Sequence, residues 1–131
     1  MAGRRSWQGL ALLALIPLLI ISGGVSAHAH AQLLVSNPRI GATLYKAPTA
    51  VMLTFDDELI DLAGGNEVVV LDPKRHEVQN SVTQLNGATL KTTLKKVNLY
   101  GKYTVIYKVI SADGHPVTSK FLFYFAKKKI K

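Results

Sequence analysis

The chain contains no cysteine. That excludes disulfides, the usual reinforcement of a small exported domain. It also excludes iron–sulfur clusters, zinc–thiolate sites and thiolate-ligated electron-transfer copper. Acidic side chains are few: eight Asp and Glu stand against 16 Lys and Arg, for a formal net charge of +8. After Ile21 no apolar run approaches the roughly 20 residues needed to cross a bilayer, so the rest of the chain is expected to be soluble. No stretch has a convincing helical period, and there is no internal repeat. Nucleic acid is not expected as the partner of an exported domain whose sequence shows no basic run with interleaved aromatics.

What is present begins with an export signal. Arg4 and Arg5 form a basic start, residues 10–21 are continuously apolar, and Ser22-Gly23-Gly24-Val25-Ser26-Ala27 is small and polar. This is the layout of a cleaved secretory signal peptide; an uncleaved anchor is the alternative reading. Gly3-Arg4-Arg5-Ser6-Trp7 is only a loose match to a twin-arginine signal, so general secretion into the periplasm is expected. Two cuts satisfy the small-x-small rule. One, after Val25-Ser26-Ala27, leaves His28 first. The other, after Ala27-His28-Ala29, fits better and leaves His30 first. On that reading residues 1–29 are removed, 30–126 form one domain and 127–131 are a basic tail expected to fray. The 102 residues from His30 carry 14 Lys and Arg and eight Asp and Glu, a net +6.

The exported part reads as strands separated by turns. Strands are expected at residues 32–36, 51–55, 67–71, 78–84, 88–94, 102–110 and 117–125. The fourth is an edge candidate. Asp72-Pro73-Lys74-Arg75 places proline second in a turn, and Asn86-Gly87 is a hairpin signal. Tyr103, Val105, Tyr107 and Val109 alternate with Thr104, Ile106, Lys108 and Ile110; Phe121, Phe123 and Phe125 share one face. These period-two stripes are core rather than ligand site. Seven strands without helix indicate an all-β sandwich.

The chemistry concentrates at Ser111-Ala112-Asp113-Gly114-His115-Pro116, between the two strongest strands. In a β-like segment residues i and i+2 share a side, so Asp113 and His115 can face one ion. Gly114 lets the backbone bend between them, and Pro116 fixes the exit. Cu(II) favours nitrogen and oxygen donors in a tetragonal plane. An N-terminal His30 adds both an imidazole and an α-amine whose pKa, about 7.7–8.0, lets a metal displace its proton near neutrality. Read alone, Asp-Gly-His-Pro is also an ordinary solvated turn. A start at His28 would instead create His28-Ala29-His30, a separate square-planar Cu(II) or Ni(II) site. His76, after Lys74-Arg75, is expected simply to be exposed. Asp56-Asp57-Glu58 and Asp61 lack the ligand spacing of a calcium loop and read as a solvated loop.

Several motifs together resemble the CopC family of periplasmic copper-binding proteins. His30-Ala31-Gln32-Leu33, Ser36-Asn37-Pro38 and Gly41 match an opening of the form His-x-x-Leu…Ser-x-Pro-x-x-Gly. The likeness continues through Val51-Met52-Leu53-Thr54-Phe55 and Leu99-Tyr100-Gly101-Lys102-Tyr103-Thr104-Val105. It closes with Val109-Ile110-Ser111-Ala112-Asp113-Gly114-His115-Pro116-Val117. The resemblance implies an Ig-like or cupredoxin-like Greek-key sandwich of about seven strands holding one Cu(II). It implies ligands from the His30 α-amine and imidazole, the Asp113 carboxylate and the His115 imidazole. It further implies a monomeric, non-enzymatic carrier that buffers copper in the periplasm and passes it to a CopD-like inner-membrane protein. Some relatives hold Cu(I) on a methionine-rich loop. Here Met52, inside a strand and expected to be packed, is the only methionine after the initiator, so no such site is expected. Two readings from other classes stand beside this one. The first is a copper-dependent oxidative enzyme resembling lytic polysaccharide monooxygenases; the second is a metal-free Ig-like interaction module.

Overall fold

The computed structural model describes residues 30–130; residues 1–29, where the export signal and His28 were expected to act, and Lys131 lie outside them. Eight strands form two four-stranded sheets: β1 (Leu33–Asn37), β2 (Thr43–Leu44), β3 (Ala50–Phe55), β4 (Glu67–Leu71), β5 (Gln79–Asn86), β6 (Thr89–Leu94), β7 (Gly101–Ile110) and β8 (Pro116–Phe125). One sheet has the order β1-β3-β6-β5, the other β2-β8-β7-β4. Only β5–β6 and β7–β8 are hairpins within one sheet; every other connection crosses between sheets, as a Greek-key sandwich requires. All seven expected strands are present, and β5 is an edge. The eighth, β2, has two residues and pairs in parallel with β8. It is too short for any alternation to mark it.

The two inward faces follow the period-two pattern. Val51, Leu53 and Phe55 of β3, with Leu90 of β6, meet Val68 and Val70 of β4, Val105 and Val109 of β7 and Phe123 of β8, all buried. Tyr103 stacks on Phe123 with ring centroids 5.1 Å apart, and its hydroxyl donates to the Leu99 carbonyl at 2.8 Å. That bond removes the cost of burying a phenol; burial itself pushes the Tyr103 pKa up. Met52 departs from expectation. Because its neighbours Val51 and Leu53 point inward, the pleat turns Met52 outward, where it is 40% exposed.

Turns also differ in detail. Asp72 accepts the Arg75 N–H through its carbonyl, closing the expected Pro73 turn. Its carboxylate Oδ1 accepts the Lys74 and His76 N–H groups at 2.8 and 2.9 Å. His76 is exposed as expected, with Nδ1 3.6 Å from Asp72 Oδ2. In the β5–β6 hairpin Asn86 pairs with Thr89, so the loop is Gly87-Ala88 and the positive φ of 58° falls on Gly87 alone. This is the pattern of a type II′ turn.

β7 and β8 pair over ten positions, from Gly101↔Phe125 to Ile110↔Pro116, without a register shift. This hairpin carries the Asp113 loop at its tip. The packing makes two stability predictions, both read from urea denaturation. Phe123→Ala should cost about 3–5 kcal/mol, the range for emptying a buried aromatic site. Tyr103→Phe keeps the ring and loses one hydrogen bond, so it should cost only about 1 kcal/mol.

Candidate metal centre

Three segments converge at one end of the sandwich. The first is the arm that enters β1. Ala31 is buried, and Gln32 is held from both sides by Asp56. The Gln32 N–H donates to Asp56 Oδ1 at 2.7 Å, and the Asp56 N–H donates to the Gln32 carbonyl at 3.0 Å. These contacts extend the β1–β3 pairing past Leu33↔Phe55 and fix where His30 emerges. Asp56, expected to be merely solvated, is therefore a positioning residue. Nothing in an acidic run at a strand end distinguishes it from Asp57 or Glu58.

The second segment is the β3–β4 loop, residues 56–66. Asn66 ties it to the end of β7: its Nδ2 donates to the Ile60 carbonyl at 2.7 Å and its Oδ1 accepts the Ile110 N–H at 3.0 Å. The Ile60 N–H donates to the Ile110 carbonyl at 3.0 Å. Gly65 packs so closely there that a Cβ would lie 2.8 Å from Ile110 Cγ1 and 3.0 Å from the Leu62 carbonyl oxygen, so a larger residue would force its neighbours to shift. Sequence reasoning passed over Asn66, because a lone Asn after Gly-Gly reads as generic loop.

The third is the β7–β8 loop. Ser111 is buried. Its N–H and hydroxyl both donate to the His115 carbonyl, at 3.0 and 2.9 Å. The Gly114 N–H donates to the Ser111 carbonyl at 2.8 Å, and Gly114 sits at φ 86°, a region open to glycine at little cost. Asp113 and His115 are thus not brought together by a strand pleat. The Asp113 Oδ1 accepts the His115 N–H at 3.0 Å, and this local side-chain-to-backbone bond of the Asx kind sets their geometry.

The other carboxylate oxygen faces both imidazoles. Asp113 Oδ2 lies 3.1 Å from His115 Nδ1 and 3.4 Å from His30 Nδ1. The two rings are edge-on, 5.4 Å between centroids and 78° between planes. One ligand atom from each of His30, Asp113 and His115 lies within 4.8 Å of the others. Among the described residues this is the one such group of His, Asp and Glu; Asp57, Glu58 and Asp61 form none. Both imidazoles are open to solvent, with side chains 64% and 68% exposed, while that of Asp113 is 25% exposed.

The Asp113 carboxyl is held below its ordinary value of 3.8. The largest cause is the His115 N–H. Partial desolvation opposes it, and the His115 side-chain hydrogen bond and the charges of His115 and His30 add to the lowering. The site therefore offers one anionic oxygen between two imidazole nitrogens, a donor set suited to Cu(II). It contains no thioether: Met52 lies on the outer face of β3, paired with Asn37 and Lys91, several residues along the strand from the Phe55 end where the site sits.

With this geometry in place, likeness to known proteins can be weighed. A family model described as the CopC domain matches residues 33–126, which takes in Asp113 and His115 and begins three residues after His30. Copper resistance protein C of Xanthomonas campestris pv. juglandis is 30% identical over 104 residues, covering 75% of this chain and 81% of that protein. The crystal structure of CopC from Methylosinus trichosporium OB3b matches with a TM-score of 0.66 at 21% identity, over 78% of this chain and 99% of that one. PcoC, a methionine-rich copper resistance protein from Escherichia coli, matches with a TM-score of 0.61 at 19% identity, over 75% of this chain and 100% of that one. The two structures share the cupredoxin-like β-sandwich. Because the family model spans most of the chain and a copper resistance protein is similar along nearly the same length, this chain belongs to the CopC domain family.

Proposed function

We propose that this protein binds a single Cu(II) as cargo at His30, Asp113 and His115, buffers it in the periplasm, and releases it to an inner-membrane partner. The family is one of periplasmic copper-binding resistance proteins, not of enzymes. The observation that carries the proposal is the convergence of the His30 and His115 Nδ1 atoms on one Asp113 oxygen. Cleavage before His30 frees its α-amine, which then closes a chelate ring with Nδ1 of the same residue. Four donors result: amine, two imidazoles and one carboxylate.

The site favours exchange as well as capture. Its carboxylate is pre-ionised and anchored, so binding does not wait on a proton from Asp113. Its two imidazoles stand in solvent, where a partner's ligands can displace them one at a time. Asp113 would supply a further donor beside the two imidazoles, where an oxidative enzyme keeps a coordination position open. A monomer suffices, since all four donors come from one chain. In this reading the sandwich of residues 30–126 is the functional unit, residues 1–29 serve export, and the remaining five form a tail.

Three outcomes are expected. Protein starting at His30 should bind Cu(II) at least about 100-fold more tightly than protein retaining Ala29, because the extra residue converts the amine to an amide; competition against a chromophoric chelator reads this, and equal affinities would remove the amine from the site. His115→Ala should weaken binding by about 10- to 100-fold, on the scale of losing one ligand or its orientation, with a changed Cu(II) electron paramagnetic resonance spectrum.

The third is a pH profile. Asp113 is held below 3.8 and stays ionised throughout the range from pH 8 to pH 5. Loss of affinity there comes from the nitrogens, as protons return to the α-amine, whose ordinary pKa is about 7.7–8.0, and compete with the metal for the imidazoles. Affinity should therefore fall by more than about tenfold per pH unit between pH 8 and pH 6. A profile flat to pH 5 would exclude histidine ligation.

A further inference from the structure

Charge is divided sharply between the two ends of the sandwich. The metal end comprises residues 30–32, 56–66, 87–88 and 111–115. It holds Asp56, Asp57, Glu58, Asp61 and Asp113 and no lysine or arginine. The opposite end holds nine of the 13 cations in residues 30–130. Arg39 and Lys46 lie in the connections flanking β2, Lys74 and Arg75 in the Asp72 turn, Lys95 and Lys96 after β6, and Lys127, Lys128 and Lys129 after β8. Among the described residues no lysine or arginine forms an ion pair; the three close pairs all join His to Asp. Asp72 and Glu77 also lie at that end, between β4 and β5; nine cations less these two carboxylates leave a net +7 there.

The same end exposes apolar and aromatic side chains. Ile40 is 64%, Tyr45 61%, Tyr100 57% and Ile130 94% exposed. Tyr124, near the end of β8, is 39% exposed. All three exposed tyrosines lie there, whereas Tyr103 and Tyr107 are buried. The Ala126 N–H donates to the Leu44 carbonyl at 2.8 Å, which brings the tail beside Tyr45; the two line a groove of about 390 Å³ with Lys127, Lys128 and Lys129. A second hollow, about 440 Å³, is bordered by Arg75, Lys102 and Lys120.

Unpaired cations interleaved with exposed tyrosine and isoleucine at the blunt end of a rigid body match the chemistry of a bilayer surface. Lysine and arginine meet anionic headgroups, and tyrosine sits with its ring among acyl chains and its hydroxyl in water. A free phosphate would have no use for Ile40, Tyr45 or Ile130. We propose that the end of the sandwich opposite the metal centre docks on an anionic lipid bilayer. No helix of the described residues is long and apolar enough to cross a membrane, so the association is peripheral and salt-sensitive. It also sets orientation: the ten-residue strands β7 and β8 hold the metal centre about 33 Å from the bilayer.

The test is flotation of the exported protein with vesicles of phosphatidylglycerol and phosphatidylethanolamine, against vesicles of phosphatidylcholine. Binding is expected only to the anionic vesicles, and should fall more than tenfold as salt rises from about 0.02 to about 0.5 M. Joint substitution Lys127→Glu, Lys128→Glu and Lys129→Glu should reduce partitioning about 100-fold, since each lysine near such a surface contributes about fivefold. Lys91→Glu, on the outer face of β6, changes charge away from this end and should cost no more than about twofold. Tyr45→Ser with Tyr100→Ser should lower vesicle binding severalfold yet leave retention on a sulfonate resin unchanged. Equal binding to phosphatidylcholine, no binding at low salt, or an unaffected triple variant would overturn the proposal. Release by inorganic phosphate but not by chloride at equal ionic strength would also overturn it, in favour of a discrete phosphate site.

Discussion

The bond from the His115 N–H to Asp113 Oδ1 is the constraint on which the candidate centre depends. It fixes the carboxylate's plane, turning Oδ2 toward the two imidazoles. It also favours the ionised carboxylate, because an N–H aimed at one oxygen stabilises charge on that group. The loop that makes this bond possible is itself braced from below by buried Ser111, which donates twice to the His115 carbonyl. Beneath that lies the ten-pair β7–β8 ladder, with no irregularity to let the tip slide. Precision at the site is therefore inherited from the longest hairpin in the fold. His30 arrives by a different route, through Ala31 in the core and Gln32 clamped to Asp56.

The two routes explain which parts were legible in the sequence. Strand positions could be read because Tyr103, Val105, Tyr107 and Val109, and then Phe121, Phe123 and Phe125, carry an unbroken period of two that the sandwich core imposes. β2 could not, since two residues carry no period. The candidate ligands could be named because an Asp-Gly-His triplet and an N-terminal histidine are local signals. Why Asp113 and His115 meet was misjudged: a pleat was expected where an Asx-type bond operates. The supports Asp56 and Asn66 were invisible for one shared reason. Each acts through a hydrogen bond to a backbone group far along the chain, 24 residues away for Asp56 and 44 for Asn66, and partners at that separation leave no pattern in composition or spacing. Met52 was misplaced although the pleat itself, counted from Val51, puts it outside.

Charge polarity adds a consequence for the metal chemistry. Five carboxylates and no lysine or arginine surround the centre, so the local potential is negative although residues 30–131 carry a net positive charge. A divalent cation is drawn to that end and away from the other, which raises its encounter rate without changing the ligand set. In the proposed reading, capture and attachment are thus separated at opposite ends of a stiff sandwich.

That separation bears on how cargo could leave. A centre held about 33 Å above a bilayer cannot reach a site embedded at the membrane surface without the carrier detaching or tilting. It can reach a soluble acceptor, or the part of a membrane protein that rises to a comparable height. In that reading detachment is controlled by the same salt-sensitive contacts that make docking, and copper held at the proposed centre would change the charge of the far end without touching them. Metal loading and membrane attachment are therefore only weakly coupled through space, because exposed charges separated by several Debye lengths scarcely interact at physiological ionic strength. On the proposed docking and copper-site readings the protein stays at the surface whether loaded or empty, and ligand exchange at the two exposed imidazoles, rather than release of the whole molecule, would govern transfer.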